Sequence, residues 1–399
     1  MGKGWGRDVA ILGGCGHVGL PLGLALADAG LRVSLFDTNR AAVRLVQSGT
    51  MPHRESGAHE VLERTLAAGR LTATSEANSV GSAECLIVVI GTPVDEHLNP
   101  DPQAVLTAIE SVGEHLVDGQ LLVLRSTIFP GVTRLVERLI NRMGKDIDVA
   151  FCPERIAEGR AMEELQSLPQ IVSARTARGL ERAGQLFGSI AKTIVQVEPE
   201  EAELAKLFTN SYRYIKFAAA NQLFMMANDF GVDYERVRAA VVHEYPRAAD
   251  LPGPGFVAGP CLLKDTMQLA AFNNNNFALG LASMQINEGL PLYLVSRMAA
   301  KYELEVMTVG ILGMAFKAES DDIRNSLSYK LKRVLNLHAA GVLTTDPYVT
   351  DDPSLVSLEY VLTQADLIVI GAPHELYARS AIRQPVVDIW NLRGEGVIV

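Results

Sequence analysis

Residues 9–37 constrain the fold more than any other stretch. A short apolar run, VAIL at 9–12, leads into Gly14-Cys15-Gly16-His17-Val18-Gly19. An Ala- and Leu-rich helical pattern follows to residue 30, then a second strand-like run at 32–36 that ends in Asp37. Strand, glycine turn, helix, strand, acid is the order of a dinucleotide-binding βαβ unit. The glycines let the chain turn tightly and let a pyrophosphate approach the helix N-terminus, where free N–H groups and the dipole favour negative charge. Asp37 stands where a carboxylate takes the ribose hydroxyls, which favours NAD over NADP. Glycine-rich turns occur in other α/β folds, so the flanking strands and the acid carry the reading.

Strand and helix patterns keep alternating. Residues 85–90 read as a buried parallel strand ending in Gly91-Thr92-Pro93, and 121–124 as one ending in Arg125-Ser126-Thr127. Residues 149–151 end in Cys152-Pro153-Glu154. Ligands of doubly wound sheets bind at the carboxyl ends of the strands. Thr92, Thr127 and Glu154 are therefore candidates by position, although polar residues there are more often helix caps. Glu154 and Glu158 are four apart, and on a helix they would share a face. Two such carboxylates would raise one pKa, which suits acid–base work; a solvated helix start is the plainer reading.

A long helical pattern covers 198–229, with Leu204, Leu207, Phe208 and Tyr212 spaced as its core stripe. Lys206 and Asn210 lie on another face; buried, the pair could hold an oxyanion or a water, and exposed it is ordinary surface polarity. Residues 277–301 read as a further helix broken near Pro291. From about 305 onward the chain repeats itself. Residues 309–313, VGILG, echo 9–13, and 365–373, ADLIVIGAP, echo 83–93. This second unit lacks the phosphate glycines and carries Met314, Ala315, Phe316 and Lys317 instead. Lys317 and Arg324 supply positive charge for a phosphate. The expected class is α/β, with two Rossmann-like doubly wound domains joined by a central all-helical domain.

Between the two helical patterns lies LPGPGFVAGPCLLKDT at 251–266. Its Pro and Gly run cannot be a helix interior or a central strand. It reads as a loop whose bare backbone can approach a ligand, with Cys261 at its end. A lone cysteine in a turn is more often inert. Here Lys264 and Asp265 follow at once, and a nearby cation favours the nucleophilic thiolate.

Composition narrows the classes further. The net charge of −10 argues against a nucleic-acid surface, though not against a small anionic substrate. Cys15, Cys85, Cys152 and Cys261 are far apart and have no metal-ligand spacing, so they read as reduced thiols of a cytoplasmic protein. Lys3, Arg7 and Asp8 precede an apolar run too short for a secretory core, and no apolar run spans a bilayer.

With these residues in hand, the chain resembles the UDP-glucose/GDP-mannose dehydrogenase family over nearly its whole length. The motifs are GCGHVG with Asp37, Gly91-Thr92-Pro93, Ser126-Thr127, PERIAEG, ELAKLFTN, GFVAGPCLLKD and GMAFKAESDDIRNS. The resemblance implies an NAD-dependent, four-electron oxidation of the C6 alcohol of a nucleotide sugar to a carboxylate, a step that serves polysaccharide or glycoside biosynthesis. It implies that Cys261 traps the aldehyde as a thiohemiacetal that becomes a thioester. It implies Lys206 as base or oxyanion stabiliser, Asn210 as a holder of the intermediate, Asp265 and Thr127 as groups that position water, and Glu158 as the acid that assists hydrolysis. Gly14, Gly16, His17, Val18, Gly19, Asp37, Thr92, Lys264 and Arg324 match cofactor positions. Glu158, Arg160, Met162, Lys206, Asn210, Arg247, Gly255, Phe256, Gly259, Phe316 and Lys317 match positions that hold the nucleotide sugar. Arg247 resembles an Arg donated across a dimer interface, at a shorter spacing to Cys261 than in UDP-glucose members.

The implied division is 1–199 for NAD, 200–303 for the helical dimerisation domain with Lys206 and the Cys261 loop, and 304–399 for the nucleotide sugar. A homodimer is expected, because residues 218–226 of the long helix could bury themselves against a twin. CPER at 152–155 is similar to the branch that acts on UDP-N-acetylhexosamines such as UDP-N-acetylmannosamine or UDP-N-acetylglucosamine. Ala258 stands where many relatives carry glycine. The alternatives are a UDP-glucose 6-dehydrogenase, a two-electron hydroxyacid-type dehydrogenase that would need neither Cys261 nor a second nucleotide fold, and a non-catalytic nucleotide-sugar sensor.

Overall fold

The computed structural model describes residues 4–92, 94–95, 100–397 and 399; Pro93, of the strand end at 91–93, lies outside them. The chain divides into two compact units, residues 1–208 and 209–399.

The first unit opens with β1 (Arg7–Leu12), α1 (Gly19–Asp28), β2 (Val33–Phe36), α2 (Arg40–Gln47), α3 (Ala58–Ala67) and β3 (Leu71–Thr74). It continues with β4 (Ala83–Val88), α4 (Gln103–Glu110), β5 (Leu121–Leu124), α5 (Val132–Arg142) and β6 (Asp148–Phe151). Then come α6 (Ala161–Ser167), β7 (Gln170–Ala174), α7 (Ala177–Gly188), β8 (Ile194–Gln196) and the start of α8 (Pro199–Asp229). The eight strands pair in the order β3-β2-β1-β4-β5-β6-β7-β8. All neighbours run parallel except β6 and β7. Helices cover both faces, which is why the central strands are unbroken apolar runs. One face packs Leu20, Leu22 and Leu24 of α1 with Phe187 of α7, and the other packs Ile109 of α4 with Val136 of α5. Strand order reverses between β1 and β4, so the crevice for a ligand opens where the glycine turn leaves β1.

The second unit holds the rest of α8, then α9 (Tyr234–Val242), α10 (Leu262–Phe272) and α11 (Ala278–Lys301). Next come β9 (Thr308–Leu312), α12 (Leu327–Leu335), β10 (Gly341–Thr345), α13 (Leu358–Gln364), β11 (Leu367–Ile370), α14 (Glu375–Arg379) and β12 (Val386–Val387). Its four strands are all parallel, in the order β10-β9-β11-β12. Phe224 of α8 and Leu290, Leu294 and Met298 of α11 share one core with Val309 and Ile311 of β9. The fold is thus two Rossmann-like sheets with a helical segment between them in the chain.

Three expectations need correction. Pro291 does not break its helix: α11 runs unbroken from Ala278 to Lys301 with Pro291 buried inside it. Leu290 and Leu294 are buried on either side, so packing overrides the lost hydrogen bond. The core stripe of α8 is also rotated from the expected one. Phe208 and Tyr212 are 53% and 59% exposed, and the buried line is Leu207, Asn210, Ser211, Tyr214, Ala218 and Asn221. Apolar spacing alone could not choose between the two faces. Last, residues 152–157 are not helical, so Glu154 and Glu158 share no helix face. The buried Glu154 pairs with Arg125 and accepts hydrogen bonds from the N–H groups of Arg155 and Ile156.

Candidate active site

The glycine turn can be read one Cβ at a time. A Cβ on Gly14 would lie 2.8 Å from Leu35, and one on Gly19 would lie 2.3 Å from the carbonyl oxygen of Gly13. Both glycines are needed for the chain to pack on itself. Gly16 is different, because its Cβ would meet nothing closer than 3.6 Å. Packing does not require that bare backbone, whereas a pyrophosphate approaching it would. Helix α1 begins beside it at Gly19 with no side-chain cap and no acidic residue in its first turn, so its dipole is left for an anion. Asp37 accepts from the N–H groups of Cys15 (3.0 Å) and Asn39 (2.9 Å) and stays partly exposed. Its carboxylate oxygens are oriented yet keep capacity for a ribose diol. These residues fit NAD, with His17 and Val18 half-buried in the same turn.

The other strand ends of the first unit gather at the same edge. Thr92, after β4, donates its hydroxyl to the carbonyl of Thr127, after β5, at 2.6 Å. Beyond β6, Glu158 sits in a turn and faces His17 at Nδ1–Oε1 2.9 Å. The glycine turn and the proposed acid are therefore direct neighbours. Met162 packs against the apolar core, and Arg160 is exposed and pairs with Glu163. Lys206, on α8, is buried.

Two buried carboxylates that sequence reasoning missed build this edge. Glu55 accepts from the N–H groups of Gly159 (2.9 Å) and Ala161 (2.7 Å), which fixes the turn bearing Glu158. Glu203 accepts from the N–H groups of Gly131 (2.6 Å) and Thr133 (2.9 Å) and caps α5 in place of a side chain on Gly131. Their partners, backbone N–H groups and the Thr133 hydroxyl, lie about 70 or more residues away in sequence, so no local pattern marks them.

In the second unit, residues 251–260 form an irregular loop, as the Pro and Gly run requires. Gly259 has φ of +97°, and a Cβ there would come 2.6 Å from the Phe316 ring. A Cβ on Gly255 would strike Trp390 at 2.2 Å, while Phe256 meets Trp390 edge-on. Cys261 is exposed and stands just before α10, at the end that favours negative charge. The other three thiols are buried, and burial pushes each of them up to about 12. One turn past Cys261, the fully buried Asp265 accepts from Asn210 Nδ2 at 2.5 Å and pairs with Lys264 at 2.9 Å. Lys317 lies over the Phe316 ring at 5.7 Å, Arg324 is clamped on Asp322, and Arg247 is exposed and stacked on Tyr245.

A dinucleotide turn with an acid for the ribose, a second nucleotide-type sheet and an exposed thiol on a glycine loop define a class: a nicotinamide-dependent oxidoreductase of nucleotide-linked substrates. The chain belongs to the UDP-glucose/GDP-mannose dehydrogenase family. The family's NAD binding domain matches residues 7–191, its central domain 200–288 and its UDP binding domain 310–394. The chain is 31% identical over 379 residues to a UDP-N-acetyl-D-mannosamine dehydrogenase of Pyrococcus horikoshii, covering 92% of this chain and 89% of that protein. The structure of the UDP-D-ManNAc dehydrogenase from P. horikoshii superposes with a TM-score of 0.89 at 29% identity, covering 96% of both chains. A UDP-glucose dehydrogenase structure from Pyrobaculum islandicum gives 0.87 at 27% identity, covering 97% of this chain and 95% of that one. This protein is an NAD-dependent nucleotide-sugar dehydrogenase. Among the described residues no helix is long and apolar enough to cross a membrane.

Proposed function

We propose that the chain oxidises the C6 alcohol of a UDP-N-acetylhexosamine to the uronic acid, removing four electrons through a covalent intermediate on Cys261. The observation that carries the reading is the placement of that thiol. It is the exposed one of four, and it precedes a helix whose first turn holds the Lys264–Asp265 pair and the Asn210 contact. NAD, bound at the glycine turn, supplies the hydride acceptor for both oxidations. In the first, Lys206 serves as base or oxyanion stabiliser while the alcohol becomes an aldehyde. The Cys261 sulfur bonds to the aldehyde carbon, the oxygen takes a proton, and a thiohemiacetal results, which Asn210 helps to hold. Loss of a hydride from C6 and of the hydroxyl proton gives a thioester. Water positioned by Asp265 and Thr127 adds to that carbon, Glu158 assists, the C–S bond breaks and a carboxylate leaves the thiol behind. A covalent link keeps the reactive aldehyde from escaping between the two oxidations.

The N-acetylhexosamine assignment rests on the CPER motif and on relatives named UDP-N-acetyl-D-mannosamine dehydrogenase; UDP-glucose is its competitor. We also read residues 1–199, 200–303 and 304–399 as the functional divisions, and the working form as a cytoplasmic homodimer. The exposed Leu223 and Met226 on α8, with Phe230 just after its end, favour burial against a twin. The test is hydride stoichiometry with a panel of UDP- and GDP-sugars. Two NADH per sugar consumed, with the acid as product, from UDP-N-acetylmannosamine supports the reading; one NADH per sugar, with no acid formed, would replace it with a two-electron dehydrogenase, and none with a sensor. Cys261→Ser should lower acid formation on the order of 10³-fold or more while nucleotide binding survives. Undiminished acid formation by that variant would overturn the covalent route.

A further inference from the structure

We infer that Asn221 is a positioning residue for Cys261, the far anchor of the loop that presents the thiol; the inference rests on the reading of Cys261 as nucleophile. Asn221 lies in the C-terminal half of α8 and is completely buried. Its Oδ1 accepts from the Gly255 N–H at 2.9 Å, and its Nδ2 donates to the Gly255 carbonyl at 3.1 Å. One side-chain amide thus pairs with both backbone groups of one residue, as a neighbouring strand would. The second Nδ2 proton goes to Asn287 Oδ1 at 2.9 Å, and Asn287 Nδ2 donates to the Tyr214 carbonyl at 3.2 Å. Every polar atom of the Asn221 side chain therefore has a partner, and the Gly255 N–H fixes which way the amide points.

Only a side chain with a donor and an acceptor side by side can do this. Aspartate lacks the donor, serine lacks the span, and an apolar residue would leave both Gly255 groups buried and unpaired.

Asn210 and Asn221 are eleven residues apart, close to three full turns, so both sit on the buried line of α8 and about 16 Å apart along it. Asn210 holds Asp265, and Asn221 holds Gly255. Cys261 lies between these two fastened points, with its carbonyl accepting from the Asp265 N–H at 2.8 Å. A rigid helix thereby sets where the loop can carry the sulfur. The Gly255 and Gly259 contacts with Trp390 and Phe316 close the loop from its other side.

The experiment compares Asn221→Ala and Asn287→Ala with the parent enzyme. It reads kcat for UDP-N-acetylmannosamine oxidation, NAD affinity, thermal midpoint and the rate at which iodoacetamide blocks Cys261. Asn221→Ala should lower kcat per folded molecule about 10- to 100-fold, since small misplacements of a reacting group cost that much. NAD affinity should hold, and the alkylation rate should change as the loop loosens. Asn287→Ala removes the brace but leaves both Gly255 bonds, so it should show a smaller fall in the same direction. A lowered midpoint with unchanged kcat and alkylation rate in Asn221→Ala would mean that the amide only stabilises the fold, and the inference would be lost. Acid formation surviving in Cys261→Ser is a separate result, which would sink the nucleophile reading instead.

Discussion

The two strand–turn–helix units of this protein begin alike and end in different chemistry. In the first, the Gly13 N–H donates to the Phe36 carbonyl at 2.9 Å; in the second, Gly313 does the same to Thr345 at 2.9 Å. Each second strand then ends in an acid, Asp37 or Asp346. Asp37 accepts two N–H groups and remains partly open. Asp346 accepts four, from Met314, Ala315, Tyr348 and Val349, and also faces His374 Nε2 at 3.2 Å. His374 is wholly buried, and its Nδ1 accepts from the Glu319 N–H, which leaves the Nε2 proton for Asp346. The same strand-end carboxylate is left partly open in one unit, where we propose that it takes a ribose, and is an internal fastening in the other. His374 makes the difference: it follows Gly371-Ala372-Pro373, where the first unit has Val94 after 91–93.

The sharpest way to break this comparison is to remove each acid in turn. Asp346→Ala strands four N–H groups and His374 in the interior. Loss of one partner from such a buried charged network costs about 3–5 kcal/mol. A midpoint of the second unit lowered by roughly 10 °C is expected, by calorimetry. A change within error would mean that Asp346 is not a fastening. Asp37→Ala is expected to act on the cofactor instead. Losing charged hydrogen bonds to a ribose should weaken NAD binding about 10- to 100-fold with little change in midpoint. Gly16→Ala sharpens the same point, because the added methyl meets no protein atom closer than 3.6 Å yet occupies the pyrophosphate's approach. It should fold normally and lose NAD affinity. Normal NAD binding by Asp37→Ala would leave the first acid without its assigned role.

The divergence of the two acids was not legible in the sequence, and the reason is physical. Periodic apolar runs located both sheets and the helices α1, α8 and α11, because burial on both faces leaves no other pattern open to a parallel strand. The glycine turn with Asp37 could be read because its meaning is local. Asp346 differs from Asp37 through two more N–H groups that it accepts from and through a histidine 28 residues further on. Glu55, Glu203 and Asn221 grip backbone groups, which leave no trace in side-chain spacing. The stripe of α8 was misplaced for a related reason: its core face carries asparagines, and its exposed face carries Phe208 and Tyr212. Polar side chains that bind other parts of the chain invert the usual hydrophobic signal.

The smallest expected effect is a pH dependence confined to the second unit. Burial pushes the Asp346 carboxyl up, but the His374 hydrogen bond and the N–H groups of Ala315 and Tyr348 outweigh it and hold it below the usual carboxylate value. A carboxyl with a lowered folded-state pKa binds fewer protons folded than unfolded, so its stabilising effect is complete above the unfolded value near 4 and fades as pH falls through the folded value. The second unit should therefore weaken on acidification from about pH 4 downward, and Asp346→Asn should remove that part of the acid sensitivity while being less stable at neutral pH. Chemical denaturation at stepped pH, followed through the fluorescence of Trp390, measures both. Identical acid profiles for the parent and Asp346→Asn would show that the fold does not hold the Asp346 carboxyl below its unfolded value.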